Sequence, residues 1–167
     1  MAESRAPIRL LAPLAGWLGP LEELPDPVFA GGSLGDGLAF DPTGDTLHAP
    51  CAGTIASLAR TGHAVTLRLE GGAELLLHLG IDTVAMGGAG FTPLVREGQD
   101  VAEGDPLVRF DLDAVVHQAS SAMTPFLLLE SEDWTLADKR APGPVALGDT
   151  VMTLVARAAG QGAAGEP

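Results

Sequence analysis

Two apolar runs joined by a glycine pair limit this chain more than any other feature. Residues 63–70, His-Ala-Val-Thr-Leu-Arg-Leu-Glu, alternate, so that His63, Val65, Leu67 and Leu69 share one face of a strand. Residues 73–79, Ala-Glu-Leu-Leu-Leu-His-Leu, form a second run that carries His78 near its end and turns at Gly80. Gly71-Gly72 between the runs signals a hairpin. With those two residues as the loop, Val65 faces His78. His63 and His78 then become diagonal neighbours on one face, about 7–8 Å apart by backbone. A four-residue loop keeps that pairing, and a three-residue loop breaks it. A histidine in so apolar a run needs a polar partner. Two of them converging at one end of a hairpin point to chemistry rather than packing.

The rest of the chain has the same grain. Short runs of about 4–7 residues are separated by turn signals every 8–12 or so. Strands are expected at 8–11, 38–40, 46–48, 54–58, 91–94, 106–110, 126–130 and 151–155. Ala-Pro-x-x-Gly occurs twice, at 12–16 and 49–53, each time as a turn feeding a strand. Asp111 is placed to cap one short helix from Leu112 to about Ser121, with Leu112, Val115, Val116 and Ala119 toward the core. Gly31 to Gly37 is glycine-rich but has no Gly-Lys-Ser/Thr ending, so turn formation is the expectation rather than phosphate binding. The fold class that follows is all-β: an antiparallel β-sandwich or barrel-like sandwich with one short helix. Residues 1–7 read as a disordered lead-in, 8–157 as the domain and 158–167 as an Ala/Gly-rich tail or linker.

Charge excludes several function classes. The net charge is −13 and Lys139 is the only lysine, which argues against nucleic acid and against an anionic membrane surface. It favours basic protein partners. Cys51 is the only cysteine, so no intrachain disulfide forms. It lies in a turn without an activating neighbour and reads as a buried bystander. No run long enough to span a bilayer is present, and Pro13 interrupts the apolar stretch 10–18, so no export signal is read and a cytoplasmic protein is expected.

The run Leu77-His78-Leu79-Gly80-Ile81-Asp82-Thr83-Val84, followed by Gly90-Phe91 and Glu97-Gly98-Gln99-Asp100-Val101, resembles the glucose-type enzyme IIA domain of the bacterial phosphoenolpyruvate:sugar phosphotransferase system. Upstream, Ala12-Pro13, Pro25-Asp26-Pro27-Val28-Phe29, Gly35-Asp36-Gly37, Gly53-Thr54-Ile55 and Gly62-His63-Ala64 extend the likeness over roughly 8–156. The resemblance implies a β-sandwich phosphocarrier. It accepts a phosphoryl group from the small carrier HPr on a histidine and passes it to a cysteine of the enzyme IIB domain of a glucose- or N-acetylglucosamine-type permease. By matched position His78 is the phosphorylated nucleophile and His63 its phosphoryl-stabilising neighbour. Thr61 belongs to the hydrogen-bond network, and the Gly80 carbonyl orients His78. Asp26 and Asp82 are implied to receive an arginine of the partner, with Phe29 and Val84 also on the partner-binding rim. A water-excluding lining from Val65, Leu76, Leu77 and Leu79 is expected. The chain also resembles enzyme IIA modules at the front of fused multiphosphoryl transfer proteins, ahead of HPr and enzyme I modules.

Two other function classes fit part of this pattern. A zinc hydrolase of the lysostaphin type would use His63, His78 and Asp82 as ligands with an open position, but its His-x-His pair is missing. A biotinyl or lipoyl carrier needs a lysine at a hairpin tip, and Lys139 sits in Ala-Asp-Lys-Arg. No cofactor is expected, and no metal beyond an adventitious or partner-dependent zinc between His63 and His78. His48 and His117 read as structural or surface residues.

Overall fold

The structure, a computed structural model, describes residues 5–158. Among the described residues, fourteen strands follow one another. The first half contains β1 (Ile8–Leu11), β2 (Gly16–Pro20), β3 (Gly35–Pro42), β4 (Thr46–His48), β5 (Gly53–Leu58), β6 (Ala64–Arg68) and β7 (Glu74–His78). The second half contains β8 (Phe91–Pro93), β9 (Asp100–Val101), β10 (Pro106–Phe110), β11 (Thr124–Leu129), β12 (Trp134–Ala137), β13 (Gly143–Val145) and β14 (Thr150–Ala156). An eight-stranded sheet runs β13-β2-β3-β11-β7-β6-β5-β9, and two three-stranded sheets run β1-β14-β12 and β4-β10-β8. Every named strand pair is antiparallel. This is the expected all-β sandwich. Of the segments expected at its ends, residues 1–4 and 159–167 lie outside the described residues. Arg5, at the inner end of the lead-in, stacks its guanidinium 4.9 Å above the Trp134 ring.

Period-two alternation sorts the central strands onto two faces. Leu38 and Phe40 of β3, Phe126 and Leu128 of β11, Leu75 and Leu77 of β7 and Val65 and Leu67 of β6 enter one large core. That core also takes Leu10, Met152 and Leu154 from one small sheet and Leu47 and Val108 from the other, which together cover this face. The intervening residues face the other way. Ala39 and Leu127 join Leu21, Leu24, Phe29 and Ile81 in a second, smaller apolar cluster, with Leu76 at its edge. The segment that supplies Leu21, Leu24 and Phe29 is thus draped over the outer face of the large sheet, and His78 is on that face.

Helix is slightly more abundant than expected. Asp111 caps α2 (Leu112–Gln118), its carboxylate accepting from the Ala114 N–H at 3.1 Å. Val115 is buried and Leu112 and Ala119 pack on the core, but Val116 is 57 % exposed, because its neighbour Val115 already takes the inward direction on so short a helix. A second helix, α1 (Pro27–Ala30), and 3-10 turns at Leu21–Glu23 and Thr83–Met86 were not anticipated. Gly35 and Gly37, read as turn residues, lie inside β3 opposite Leu129 and Leu127. A Cβ on Gly37 would fall 2.0 Å from the Phe126 carbonyl oxygen, so the strand there needs a close backbone approach rather than a bend. The unanticipated strands are β2, β9, β12 and β13. Glycine and proline mask β2 and β13, and β13 and β9 are the two short edges of the large sheet.

Candidate functional site

The hairpin forms with a register one residue away from the expected one. Val65 pairs with Leu77 and Ala64 with His78. The Leu69 N–H donates to the Ala73 carbonyl at 2.8 Å, which leaves Glu70-Gly71-Gly72 as a three-residue loop. Gly71 and Gly72 have φ of +97° and +96°, and the Trp134 indole N–H donates to the Gly71 carbonyl at 3.0 Å. Alternation along β7 puts His78 on the face with Leu76 and away from Leu77, and the shifted register moves Val65 to that opposite face as well; Val65, Leu77 and Leu79 are buried in the main core. The expected lining from those three residues is therefore wrong, and Leu76 is the only one of the four on the histidine's side.

The two histidines meet all the same. His63 precedes β6 and follows Gly62, whose φ is +79°, so strand alternation no longer dictates its direction. Its backbone still holds the hairpin end, the His63 carbonyl accepting from the Leu79 N–H at 2.7 Å. The two imidazole centroids lie 4.9 Å apart with ring planes at 79°. Phe29 packs 5.0 Å from the His78 ring, and Phe91 6.3 Å from the His63 ring.

Each ring has one nitrogen engaged. His78 Nδ1 is 2.8 Å from the Gly80 carbonyl oxygen. A carbonyl only accepts, so Nδ1 carries the proton and Nε2 keeps its lone pair. Gly80 has φ of +75°, and a Cβ there would sit 2.6 Å from Thr83 Cγ2 and 3.0 Å from the Ser121 carbonyl oxygen, so no other residue presents that carbonyl in the same way. His63 Nδ1 is 2.5 Å from the Thr61 hydroxyl oxygen. Burial holds His78 below the usual imidazole range, partly offset by the Gly80 carbonyl and the Asp26 and Asp82 carboxylates. Burial, then the neighbouring His78, lowers His63 as well. Both rings are thus neutral at pH 7.

Around the pair, Asp26 and α1 act together. The Asp26 carboxylate accepts from the Val28 N–H at 2.8 Å, and Pro27 opens the helix, so the cap that starts α1 also delivers Phe29 to the His78 ring. Asp82 has φ of +62° and caps nothing with its side chain; its carboxylate accepts from the Ser120 hydroxyl. Val84, in the following 3-10 turn, is 61 % exposed. Two further residues of this region are given no role by the sequence. Thr83 is fully buried and donates to the Leu79 carbonyl at 2.7 Å, and Ser120 reaches Asp82 across thirty-eight positions of chain.

The remaining candidates fall elsewhere. His117 is an exposed residue of α2 whose Nδ1 donates to the Asp113 carbonyl. His48 lies on β4, and Lys139 pairs with Asp36 at 2.7 Å. Cys51 is buried, and burial followed by Glu103 pushes its thiol up to about 12, which leaves it inert at neutral pH. Among the described residues no three or more His, Cys, Asp or Glu side chains are gathered closely enough to hold a metal ion. The three-ligand site that the hydrolase reading required of His63, His78 and Asp82 is not formed.

The comparisons with known proteins agree in one direction. Residues 8–134 match the family described as phosphoenolpyruvate-dependent sugar phosphotransferase system, EIIA 1. A glucose-specific EIIA component of the phosphotransferase system from Halalkalibacterium halodurans is 42 % identical over 146 residues, covering 87 % of this chain and 84 % of that one. A mannose-specific EIIBCA component from Corynebacterium glutamicum is 46 % identical over 121 residues, 72 % of this chain, but the match spans only 18 % of that much longer protein. Among solved structures, the glucose permease IIA from Mycoplasma capricolum superposes with a TM-score of 0.84 at 35 % identity, covering 89 % of this chain and 96 % of that one. The sandwich, the draped outer segment and the histidine pair therefore stand in a known frame: this chain belongs to the EIIA 1 family of the phosphoenolpyruvate-dependent sugar phosphotransferase system, as a glucose-type EIIA domain.

Proposed function

We propose that this domain is a phosphocarrier that takes a phosphoryl group from phospho-HPr on Nε2 of His78 and hands it to the cysteine of an enzyme IIB domain. The observation that carries this reading is the bond from His78 Nδ1 to the Gly80 carbonyl, which leaves Nε2 as the nucleophile of a neutral ring. The Nε2 lone pair attacks phosphorus while the bond from phosphorus to the donor breaks. The ring becomes cationic as the N–P bond forms. Its Nδ1–H bond to Gly80 then strengthens, and Asp26 and Asp82 favour the positive charge. The second transfer reverses these changes: the IIB thiolate attacks phosphorus and the imidazole leaves as the neutral ring.

His63 stands beside the phosphoryl position. With the Thr61 hydroxyl donating to its Nδ1, its Nε2 carries the proton and donates to a phosphoryl oxygen. No lysine or arginine is needed at the histidines, because a cation on the docking protein meets the acidic surface of this one. Phe29 and the apolar cluster behind it limit the approach of water to the N–P bond.

The relatives' printed names include glucose-, mannose- and N-acetylglucosamine-specific components. Uptake of a hexose of the glucose or N-acetylglucosamine type, with transfer on the cytoplasmic side, is the matching role. In the EIIBCA and EIICBA relatives one protein name joins IIA to IIB, which supports IIB as the acceptor. Attachment to HPr and enzyme I modules is the arrangement proposed for the chain beyond this domain. The test is phosphorylation by phosphoenolpyruvate with enzyme I and HPr. An acid-labile, alkali-stable phosphate mapped to His78 is expected, and the absence of transfer from several HPr proteins overturns the reading.

A further inference from the structure

We infer that Ser120 is a positioning residue of the transfer site, which sets the direction of the Asp82 carboxylate toward an incoming partner. This rests on the carrier reading above.

Asp82 belongs to the loop 80–83, the same loop whose Gly80 carbonyl holds His78. It is one of two non-glycine residues at positive φ among the described residues, the other being Asp138. The loop is fastened to the segment that follows α2. Ile81 N–H donates to the Ser121 carbonyl at 2.8 Å, Ser120 N–H donates to the Ile81 carbonyl at 3.1 Å, and Gly80 N–H reaches the Thr124 hydroxyl at 3.4 Å. Ser120 is therefore fixed by its own backbone opposite Ile81, next to Asp82 in the chain. From there its hydroxyl donates to Oδ2 of Asp82.

An exposed aspartate ordinarily samples several rotamers and loses that freedom when a partner docks. Here one carboxylate oxygen is held before docking, by a hydrogen bond to an ionised group, which is among the stronger kinds. Oδ1 is left for the partner, and none of the ion pairs among the described residues involves Asp82. The cationic group that the acidic site needs from its partner thus meets a carboxylate already aimed. Preorganisation of this kind lowers the cost of binding rather than the chemical barrier.

Phosphoryl uptake from phospho-HPr by S120A, S120T, D82N and the D82N/S120A double variant tests this, together with side-chain coupling constants for Asp82 by NMR. S120A is expected to raise KM for phospho-HPr roughly three- to tenfold with kcat within about twofold. S120T, which keeps the hydroxyl, restores the wild-type KM. In the D82N background the S120A change adds less than about twofold. The couplings report one Asp82 rotamer in the wild type and averaging in S120A. A KM penalty of equal size with and without Asp82, or a fixed Asp82 rotamer in S120A, overturns the inference while leaving the carrier reading intact. A wild-type protein that takes up no phosphoryl group overturns the carrier reading and this inference together.

Discussion

His63 and His78 meet edge to face, 4.9 Å between ring centroids, although the hairpin register sends their backbone positions to opposite sides of the strand. The contact exists because His63 has left β6 and turns on Gly62. The pair is asymmetric. Gly80 fixes one ring with Nε2 unprotonated, while Thr61 binds the Nδ1 of the other. Replacing His78 by Ala is expected to abolish phosphoryl uptake. His63→Gln is expected to accept a phosphoryl group yet pass it to IIB at least about a hundredfold more slowly. Stopped transfer assays on the two variants separate these outcomes, and normal donation by both variants removes the site assignment.

Acid should loosen this fold from the histidine site outward. Burial lowers the protonation of both rings from the ordinary value of 6.5. Between that value and the lowered ones the unfolded chain binds protons that the folded protein does not. The stability these groups contribute is therefore fully present above pH 6.5 and falls as pH drops through the window below it. The slope is at most about 1.4 kcal/mol per pH unit for each proton. Urea midpoints between pH 7.5 and 5 should show the decline, and a His63→Gln/His78→Gln double variant should flatten it. Uptake of the phosphoryl group should fall less between pH 8 and 6 than the neutral fraction of a free imidazole does.

Phe29 joins the outer apolar cluster to the reactive ring. It is 7 % exposed and sits on a helix of only four residues that can shift to close a void. Phe29→Ala should cost about 3 kcal/mol, the low end for losing a buried aromatic. Water reaching His78 should raise its pKa toward the ordinary value and shorten the lifetime of the phosphorylated form. Imidazole NMR titration and the decay of isolated phosphoprotein measure the two effects.

At Gly80 the expected damage is to orientation as well as stability. Gly80→Ala combines positive φ with a Cβ 2.6 Å from Thr83 Cγ2. A loss of about 1–3 kcal/mol is expected. The displaced carbonyl should release His78 Nδ1, so the downfield Nδ1–H resonance expected of the wild type should be absent from the variant. A variant of normal stability that keeps the resonance contradicts the role given to this glycine.

The sequence made the fold class legible because ten of the fourteen strands among the described residues fall on short apolar runs bounded by turn residues. The closeness of His63 and His78 was legible too, but for a partly wrong reason. Gly71-Gly72 signals a hairpin without fixing whether Glu70 belongs to the strand or the loop, and that one residue decides which face His78 occupies. In the observed three-residue loop the Gly71 carbonyl accepts from the indole of Trp134, sixty-three positions away, a contact that no local pattern encodes. Ser120 was silent for a similar reason, since its place is set by its backbone hydrogen bond to Ile81, beside the Ile81–Ser121 bridge, which no local pattern encodes. The family resemblance supplied Thr61, Asp26, Asp82, Phe29 and Val84, which alternation alone did not single out.

That same indole makes the hairpin observable by light. The chain has two tryptophans, Trp17 and Trp134, and they differ sharply: Trp17 is 54 % exposed, Trp134 2 %. With Trp17 replaced by phenylalanine, emission comes from one ring seated against the hairpin loop, and a quencher in solution gains access to it when that loop lets go. The histidines lie at the other end of the same two strands. Fluorescence from the silent end thus reports, in real time and without a label, whether docking of a partner strains the hairpin that carries the reactive ring.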